Sequence, residues 1–263
     1  MNGNINAIDD VNGGPGAGIY VNGQIQHENN SPIINLTNTT NITSTGNGIY
    51  SAGYATYNIN GAYIAGKESG LGIKSGVFNI IDGTIVGTGP DKTPTSGNNN
   101  GINSSGTAIQ IESNSNYKGN IELNIKNGNI KSKNSNVIYE YTVNNTNTKV
   151  KDINISGGTF TSDAGKSVFS LSNSFKNNHP QFISGGTYSS NPSTYLKSGY
   201  SVEENDNSLY QVISNTISTF NQKEENKNNP LILILTISTL PIVAIITYLN
   251  RNKIFSSLKS FYL

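Results

Sequence analysis

The feature that most constrains the fold of this chain is a phrase that returns. Residues 153–162 read "INISGGTFTS" and residues 181–190 read "QFISGGTYSS"; "FNIIDGTIVG" at 78–87 and "LNIKNGNIKS" at 123–132 superpose on both. The shared pattern is apolar, any, apolar, two turn-formers ending in Gly, any, apolar. Looser relatives precede them in "IINLTNTTNITS" and "YNINGAYIAG", and "NGNINAI" near Met1 resembles "NGNIKSK" of a middle unit. Each unit also has a partner segment: "GIYVNG" from Gly18, "GIYSAG" from Gly48, "GIKSG" from Gly72, "GTAIQIES" from Gly106, "NVIYEY" from Asn136 and "KSVFSL" from Lys166. Successive partners sit roughly 24 to 36 residues apart, the period of a solenoid, in which a unit unable to bury its apolar face alone stacks on its neighbours.

In an extended strand successive side chains point to opposite faces, so Ile153, Ile155 and Phe160 read as one buried row. Stacking the units at about 4.8 Å predicts two ladders, Ile80–Ile125–Ile155–Ile183 and Ile85–Ile130–Phe160–Tyr188. It also places Gly83, Gly128, Gly158 and Gly186 at one corner, where positive φ or close backbone approach is needed. Leucine-rich repeats need Leu ladders that are missing here, and propeller blades need longer units. The expectation is an all-β, right-handed parallel β-helix, one chain wound into about six coils over residues 1–213. The largest break in the period, residues 88–106, reads as a loop inserted between corners. Its Asp91, Lys92, Asn98, Asn99 and Asn100 are the candidate binding surface, because insertions decorate one face of a solenoid and can carry binding; the alternative reading of the segment is a disordered spacer.

Composition agrees. Among 263 residues only 13% are charged, and Asn fills about one position in six. Asn, Gly, Ser and Thr favour turns and local side-chain bonds to the backbone, hence short strands over long helices. A net charge of +1, with Arg251 the sole arginine, excludes the basic footprint of a nucleic-acid binder. With no cysteine, disulfides, thiolate metal sites and a cysteine nucleophile are excluded.

Residues 230–249, "PLILILTISTLPIVAIITYL", carry no charge, and about 20 such residues cross a bilayer as one helix. Pro241 and the hydroxyls of Thr236, Ser238, Thr239 and Thr247 are tolerated in such a span. Residues 214–229 read as a polar linker. Residues 250–263 hold Arg251, Lys253 and Lys259 without an acid, so positive-inside bias makes this basic tail cytoplasmic and the N-terminal body extracellular. Arg251 and Lys253 flank the membrane anchor. A hydrophobic span followed by a short basic end resembles a Gram-positive cell-wall sorting signal. That family's Leu-Pro-x-Thr-Gly is missing: Asn229-Pro230 runs into Leu231, Ile232 and Leu233, so retention in the lipid bilayer is expected rather than covalent wall attachment. The start, "MNGNINAIDDVNGG", has neither a charged n-region nor an apolar h-region. Either the protein is tail-anchored and faces the cytoplasm, or an exported body has its start upstream of Met1; the coil-like "NGNINAI" favours the second.

"ISGGTF" and "ISGGTYSSNPSTYLKSGYSVEENDNSLYQV" resemble the last coils and closing segment of pectin-lyase-like β-helix surface proteins, often called adhesin-like, of low-GC Gram-positive and related bacteria. The resemblance covers roughly residues 18–212. It implies a hairpin near 199–213, turning at Asn205 to Asn207, that caps the open end of the helix, and it implies an extracellular glycan or protein as ligand.

The same architecture hosts lyases and glycoside hydrolases, so enzymatic chemistry is the rival reading. Lyases of this fold use a basic residue beside acids, whereas Arg251 lies beyond the span; hydrolases use clustered Asp pairs and a Gly-His-Gly segment, whereas His27 sits in "IQHEN" and His179 in "NNHPQ". A glycosidase needs two carboxylates flanking the bond; the adjacent pair, Asp9 and Asp10, reads as solvated turn. "GGPGAG" at 13–18 lacks the Lys-Ser/Thr of a phosphate loop. Tyr50, Tyr54, Tyr57 and Tyr63 are expected in the core rather than against sugars. No catalytic residue, metal site or cofactor is expected, and the function expected is a non-catalytic, membrane-anchored surface stalk, with an inactive remnant of an enzyme or a truncated product as alternatives.

Overall fold

The structure, a computed structural model, describes residues 3–8, 16–23, 31–93, 105–143 and 149–215. The span at 230–249, its flanks Arg251 and Lys253, and most of the linker lie outside them, as do His27, Asp9 and Asp10. No helix among the described residues is long and apolar enough to cross a membrane.

Within the body the chain alternates between two sheets. It runs through β1 (Gly3–Ala7) and β2 (Ile19–Val21), then β3 (Ile33–Thr37), β4 (Thr40–Ser44) and β5 (Asn47–Ser51), then β6 (Thr56–Gly66) and β7 (Ser69–Ile73), then β8 (Gly76–Gly87) and β9 (Thr107–Ser113). It continues through β10 (Ile121–Ile125), β11 (Asn129–Ser132) and β12 (Ile138–Thr142), then β13 (Val150–Ile155), β14 (Thr159–Ser162) and β15 (Phe169–Ser170), and ends in α1 (Asn173–Asn178), β16 (Thr187–Tyr188), β17 (Tyr200–Glu204) and β18 (Tyr210–Ser214). One sheet follows the order β1-β4-β6-β8-β11-β14-β16-β18-β17, with β3, β10 and β13 paired beside that path; the other follows β15-β12-β9-β7-β5-β2. All pairings are parallel except those of β18 with β16 and β17. The six strands of the second sheet are the six partner segments, and β16 crosses the first sheet once more. This connectivity is compatible with a β-helix.

Registers follow from like residues stacking on like. Ile80 pairs with Ile125, Ile125 with Ile155, and Ile155 with Ile183. The second ladder is longer than the four residues expected: Ile5, Ile42, Ile64, Ile85, Ile130, Phe160 and Tyr188 stand in one column. Ile42 through Tyr188 in that column are fully buried, and full burial of such a side chain contributes roughly 1.5–3 kcal/mol. Where the column turns aromatic, Phe160 and Tyr188 stack with centroids 4.8 Å apart. Tyr50, Tyr54 and Tyr57 are buried; Tyr63 is 40% exposed, on the outer face of β6.

Corners are made by small residues. Gly83, Gly128, Gly158 and Gly186 have φ of +135°, +122°, +100° and +102°. A Cβ on Gly128 would lie 2.8 Å from the Gly83 oxygen, and one on Gly158 3.0 Å from that of Gly128. Both reasons for glycine therefore operate at once, since the backbone turns where no side chain is tolerated and the next coil rests on it. At the opposite corner buried serine hydroxyls tie coils together: Ser132 Oγ donates to the Gly106 oxygen (3.1 Å) and Ser162 Oγ to that of Ser135 (2.9 Å).

The C-terminal end of the stack is closed in two ways. β18 turns antiparallel onto β16 and covers its free edge, with Val212 buried; its hairpin with β17 turns through residues 205–209, where the Asn205 amide donates to the Leu209 oxygen at 2.8 Å. An open strand edge invites pairing with other chains, and this hairpin moves the edge from β16 to β17, where the exposed Glu203 and Glu204 oppose such pairing. Over the core itself sits a plug of rings, Phe169, Phe175, Phe182 and Tyr195, with centroids 5.2–5.8 Å apart.

The helix carrying Phe175 was not legible in the repeat. It is held by Glu140, which occupies the inward column above Ile111 and is buried. The Glu140 carboxylate accepts from Ser113 Oγ (3.1 Å), Thr142 Oγ1 (3.1 Å), the Ser172 amide (3.0 Å) and Ser172 Oγ (2.6 Å). Ser172 in turn caps α1 by accepting the Phe175 amide at 3.2 Å. A carboxylate with this many donors is stable in a low-dielectric interior, so a charged residue ends a hydrophobic column and starts the helix that covers it.

Candidate functional site

The inserted segment leaves and returns at one corner, between β8 and β9. Asn98, Asn99 and Asn100 lie outside the described residues; Asp91 and Lys92 lie within them. Asp91 is tied to the two following coils: its carboxylate accepts from Ser135 Oγ at 2.7 Å and from Lys166 Nζ at 2.8 Å. The Lys166 ammonium and the Ser135 hydroxyl hold the Asp91 carboxyl below the usual carboxylate range. Lys92 is exposed, and its amide faces the Ser105 oxygen at 3.5 Å across the neck of the insertion. Asp91 is therefore a clip at the root of the insertion, and Lys92 is open to solvent beside it.

A second surface lies on the outer face of the first sheet. The position read as "any" between the two apolar residues of each unit is asparagine in five successive coils: Asn35, Asn58, Asn79, Asn124 and Asn154 stand in one column. Each of the last four reaches back one coil. Asn58 Nδ2 donates to Asn35 Oδ1 at 2.9 Å, Asn79 to Asn58 at 3.0 Å, Asn124 to Asn79 at 3.1 Å and Asn154 to Asn124 at 3.4 Å. Lys197 Nζ ends the row on Asn154 Oδ1 at 2.5 Å. An amide has two N–H donors and two acceptor lone pairs. The central rungs Asn58, Asn79 and Asn124 each spend one of either kind within the row and keep the others for whatever lies outside. They line a shallow trough of about 300 Å³ with Ile80, Ile81 and Lys126, and Ile81 is 40% exposed. The signal was present in the sequence as the Asn of "INL", "YNI", "FNI", "LNI" and "INI", and needed only the assignment of that position to the outer face.

A third constellation is buried against the second sheet. Lys74, just after β7, and Glu112, in β9, form an ion pair at 2.8 Å with both side chains about 95% shielded from solvent. The Glu112 carboxylate also accepts from Tyr141 Oη and from Asn114 Nδ2, each at 2.7 Å. Lys74 Nζ donates to Tyr117 Oη at 3.1 Å and lies 5.3 Å and 4.6 Å from the centroids of the Tyr50 and Tyr117 rings. The segment after Asn114 closes over the pair, fastened by Ser75 Oγ to the Lys118 oxygen at 2.7 Å. Lys149 Nζ donates to the backbone oxygens of Lys74, at 3.2 Å, and of Tyr117. Burial lowers the Lys149 ammonium to about 8, with the Glu112 charge opposing the shift, and burial raises the phenol of Tyr141 well above its ordinary range. A lysine, a glutamate and two tyrosines thus meet in space, and the lysine and the glutamate are buried.

His179 stands apart from these groups: its Nε2 is 2.8 Å from the Val150 oxygen, and its ring packs on Phe175. Among the described residues no three His, Cys, Asp or Glu side chains are grouped to hold a metal ion. Comparison with protein-family models, with curated proteins and with solved structures gives no match to this chain.

Proposed function

We propose that this protein is a membrane-anchored cell-surface stalk of adhesin type, a right-handed β-helix of the pectin-lyase-like kind that binds extracellular glycans or proteins and turns over no external substrate. The observation that carries the reading is the unbroken stack of parallel coils, capped by a hairpin, with a regular uncharged track of asparagines along one face. Right-handed winding is the sense in which parallel strands are almost always connected. The non-catalytic part is supported by how other carboxylates are used: Glu140 is spent on Ser113, Thr142 and Ser172, and Asp91, Glu122 and Asp163 are paired with Lys166, Lys151 and Lys131. The anchor is residues 230–249, with Arg251 and Lys253 on the cytoplasmic side.

The test has two arms. The full chain and a chain ending at residue 229 are expressed and fractionated; the first is expected in the membrane and the second in the soluble fraction. The soluble body is then screened on a glycan array and incubated with pectin, mannan and host glycans. Binding without cleavage is the expected result, and measurable turnover of any of these polymers overturns the stalk reading in favour of an enzyme.

A further inference from the structure

We propose that Lys74 and Asn114 join in an intramolecular isopeptide bond, formed by the folded protein itself with Glu112 as its catalytic residue. The nucleophile and the leaving nitrogen sit on the two oxygens of one carboxylate. Lys74 Nζ lies 2.8 Å from Glu112 Oε2, and Asn114 Nδ2 donates to Glu112 Oε1 at 2.7 Å. The Asn114 carbonyl oxygen, where negative charge develops on attack, accepts the Asn116 amide at 3.0 Å. A fixed backbone donor of this kind stabilises a tetrahedral intermediate without reorganising. Lys74, Glu112 and Asn114 are only 3%, 4% and 2% exposed, so water is kept from competing with the amine. The rings of Tyr50 and Tyr117 flank the ammonium, and Tyr141 fixes the carboxylate from the side.

The reaction balances within these groups. Glu112 takes a proton from the Lys74 ammonium, and the free amine attacks Asn114 Cγ. The Nζ–Cγ bond forms, Glu112 returns the proton to Nδ2, and the Cγ–Nδ2 bond breaks. Nζ gives up two protons in all, both carried to Nδ2, which leaves as ammonium. Nothing is oxidised or reduced, and Glu112 ends as the carboxylate it began as. Holding amine and amide in place converts a slow bimolecular aminolysis into a unimolecular step.

The bond would serve this chain in a specific way. With no cysteine in the sequence a disulfide is excluded, and Lys74 and Asn114 lie on either side of the insertion at residues 88–106. A covalent link between the coil of β7 and the segment after β9 bridges that loop, so cleavage within it leaves the stack joined.

The test is a peptide map of the purified full chain. A branched tryptic species is expected, linking the peptide that carries Lys74 to the peptide that carries Asn114 and lighter than their sum by one ammonia. The intact mass falls by the same ammonia, but succinimide formation at an asparagine does this too, so the branch is the deciding observation. Lys74→Arg is expected to abolish the branch, and Glu112→Gln to slow its formation about 100-fold or more, the usual contribution of general acid–base catalysis. Separate, unlinked Lys74 and Asn114 peptides from folded wild-type protein overturn the proposal, and this arm does not depend on any variant folding. An undiminished branch in Glu112→Gln overturns the role of the carboxylate.

Discussion

Gly128 is the position where the stacked-coil architecture can be put under the sharpest strain. Replacing it by alanine forces a side chain onto a residue with φ of +122° and sets its Cβ 2.8 Å from the Gly83 oxygen. The first effect costs an L-residue about 1–2 kcal/mol. The second is a contact with backbone that cannot swing aside, since Gly83 rests in turn on the coil of Ala62; overpacking of this kind costs about 1–3 kcal/mol more. Gly165 supplies the control, because its φ is +67° and nothing lies within 4 Å of its Cβ position. Gly165→Ala is therefore expected to lose about 1–2 kcal/mol and Gly128→Ala about 2–5 kcal/mol. The assay is urea unfolding followed by far-ultraviolet circular dichroism, with limited proteolysis alongside because long stacks can unfold in parts. If Gly128→Ala costs no more than Gly165→Ala, the corner row does not bear one coil on the next.

Glu140→Ala strips the Ser172 amide and hydroxyl of their acceptor; a loss of about 2–4 kcal/mol is expected, with faster amide exchange at Ser172 and along α1, whereas Glu140→Gln loses about half of that. For Asn79→Ala and Asn124→Ala, part-buried rungs of the asparagine row, a stability change of about 1 kcal/mol or less should accompany weakened binding on the array; full binding by the double variant would remove the trough from the proposed surface. The Lys149 ammonium is lowered from 10.5 to about 8 in the folded chain. Between those values the unfolded chain holds more protons, so stability rises as pH climbs from about 8 towards 10. Above 10 the buried phenols of Tyr57, Tyr141 and Tyr188, raised chiefly by burial, reverse the trend because the folded state then holds more protons. In Lys149→Met the rise between pH 8 and 10 should vanish in a thermal-unfolding series, and its persistence would assign the effect elsewhere.

How much could be read in advance differs from residue to residue. The ladders through Ile80 and Ile85 were legible because a period of two within a strand, repeated at a fixed phrase, leaves one way to stack. The asparagine row was just as periodic, yet a polar residue at a variable position carries no burial signal and reads as filler. Asp91 was readable as part of an insertion, but its bonds to Ser135 and Lys166 come from coils that follow 44 and 75 residues later. Glu140 was illegible for another reason. Within "NVIYEY" a glutamate looks like the solvent side of a strand, and only the helix delivered above it, with Ser172 at its start, makes an inward carboxylate satisfiable.

By itself, then, the sequence determined the coil: which apolar residues of the recurring phrase face inward, where glycine must turn the chain, and that the body is β throughout its repeats. Those are consequences of local geometry, since side-chain alternation and positive φ act within a few residues and recur with the phrase. The tertiary structure alone decided the meetings between coils. Lys74, Glu112 and Asn114 are separated along the chain by an insertion, and Asn35 and Asn154 by four turns of the stack. Parallel pairing sets each coil about 4.8 Å from the next, and so brings such residues into hydrogen bonds, a shielded ion pair and a track.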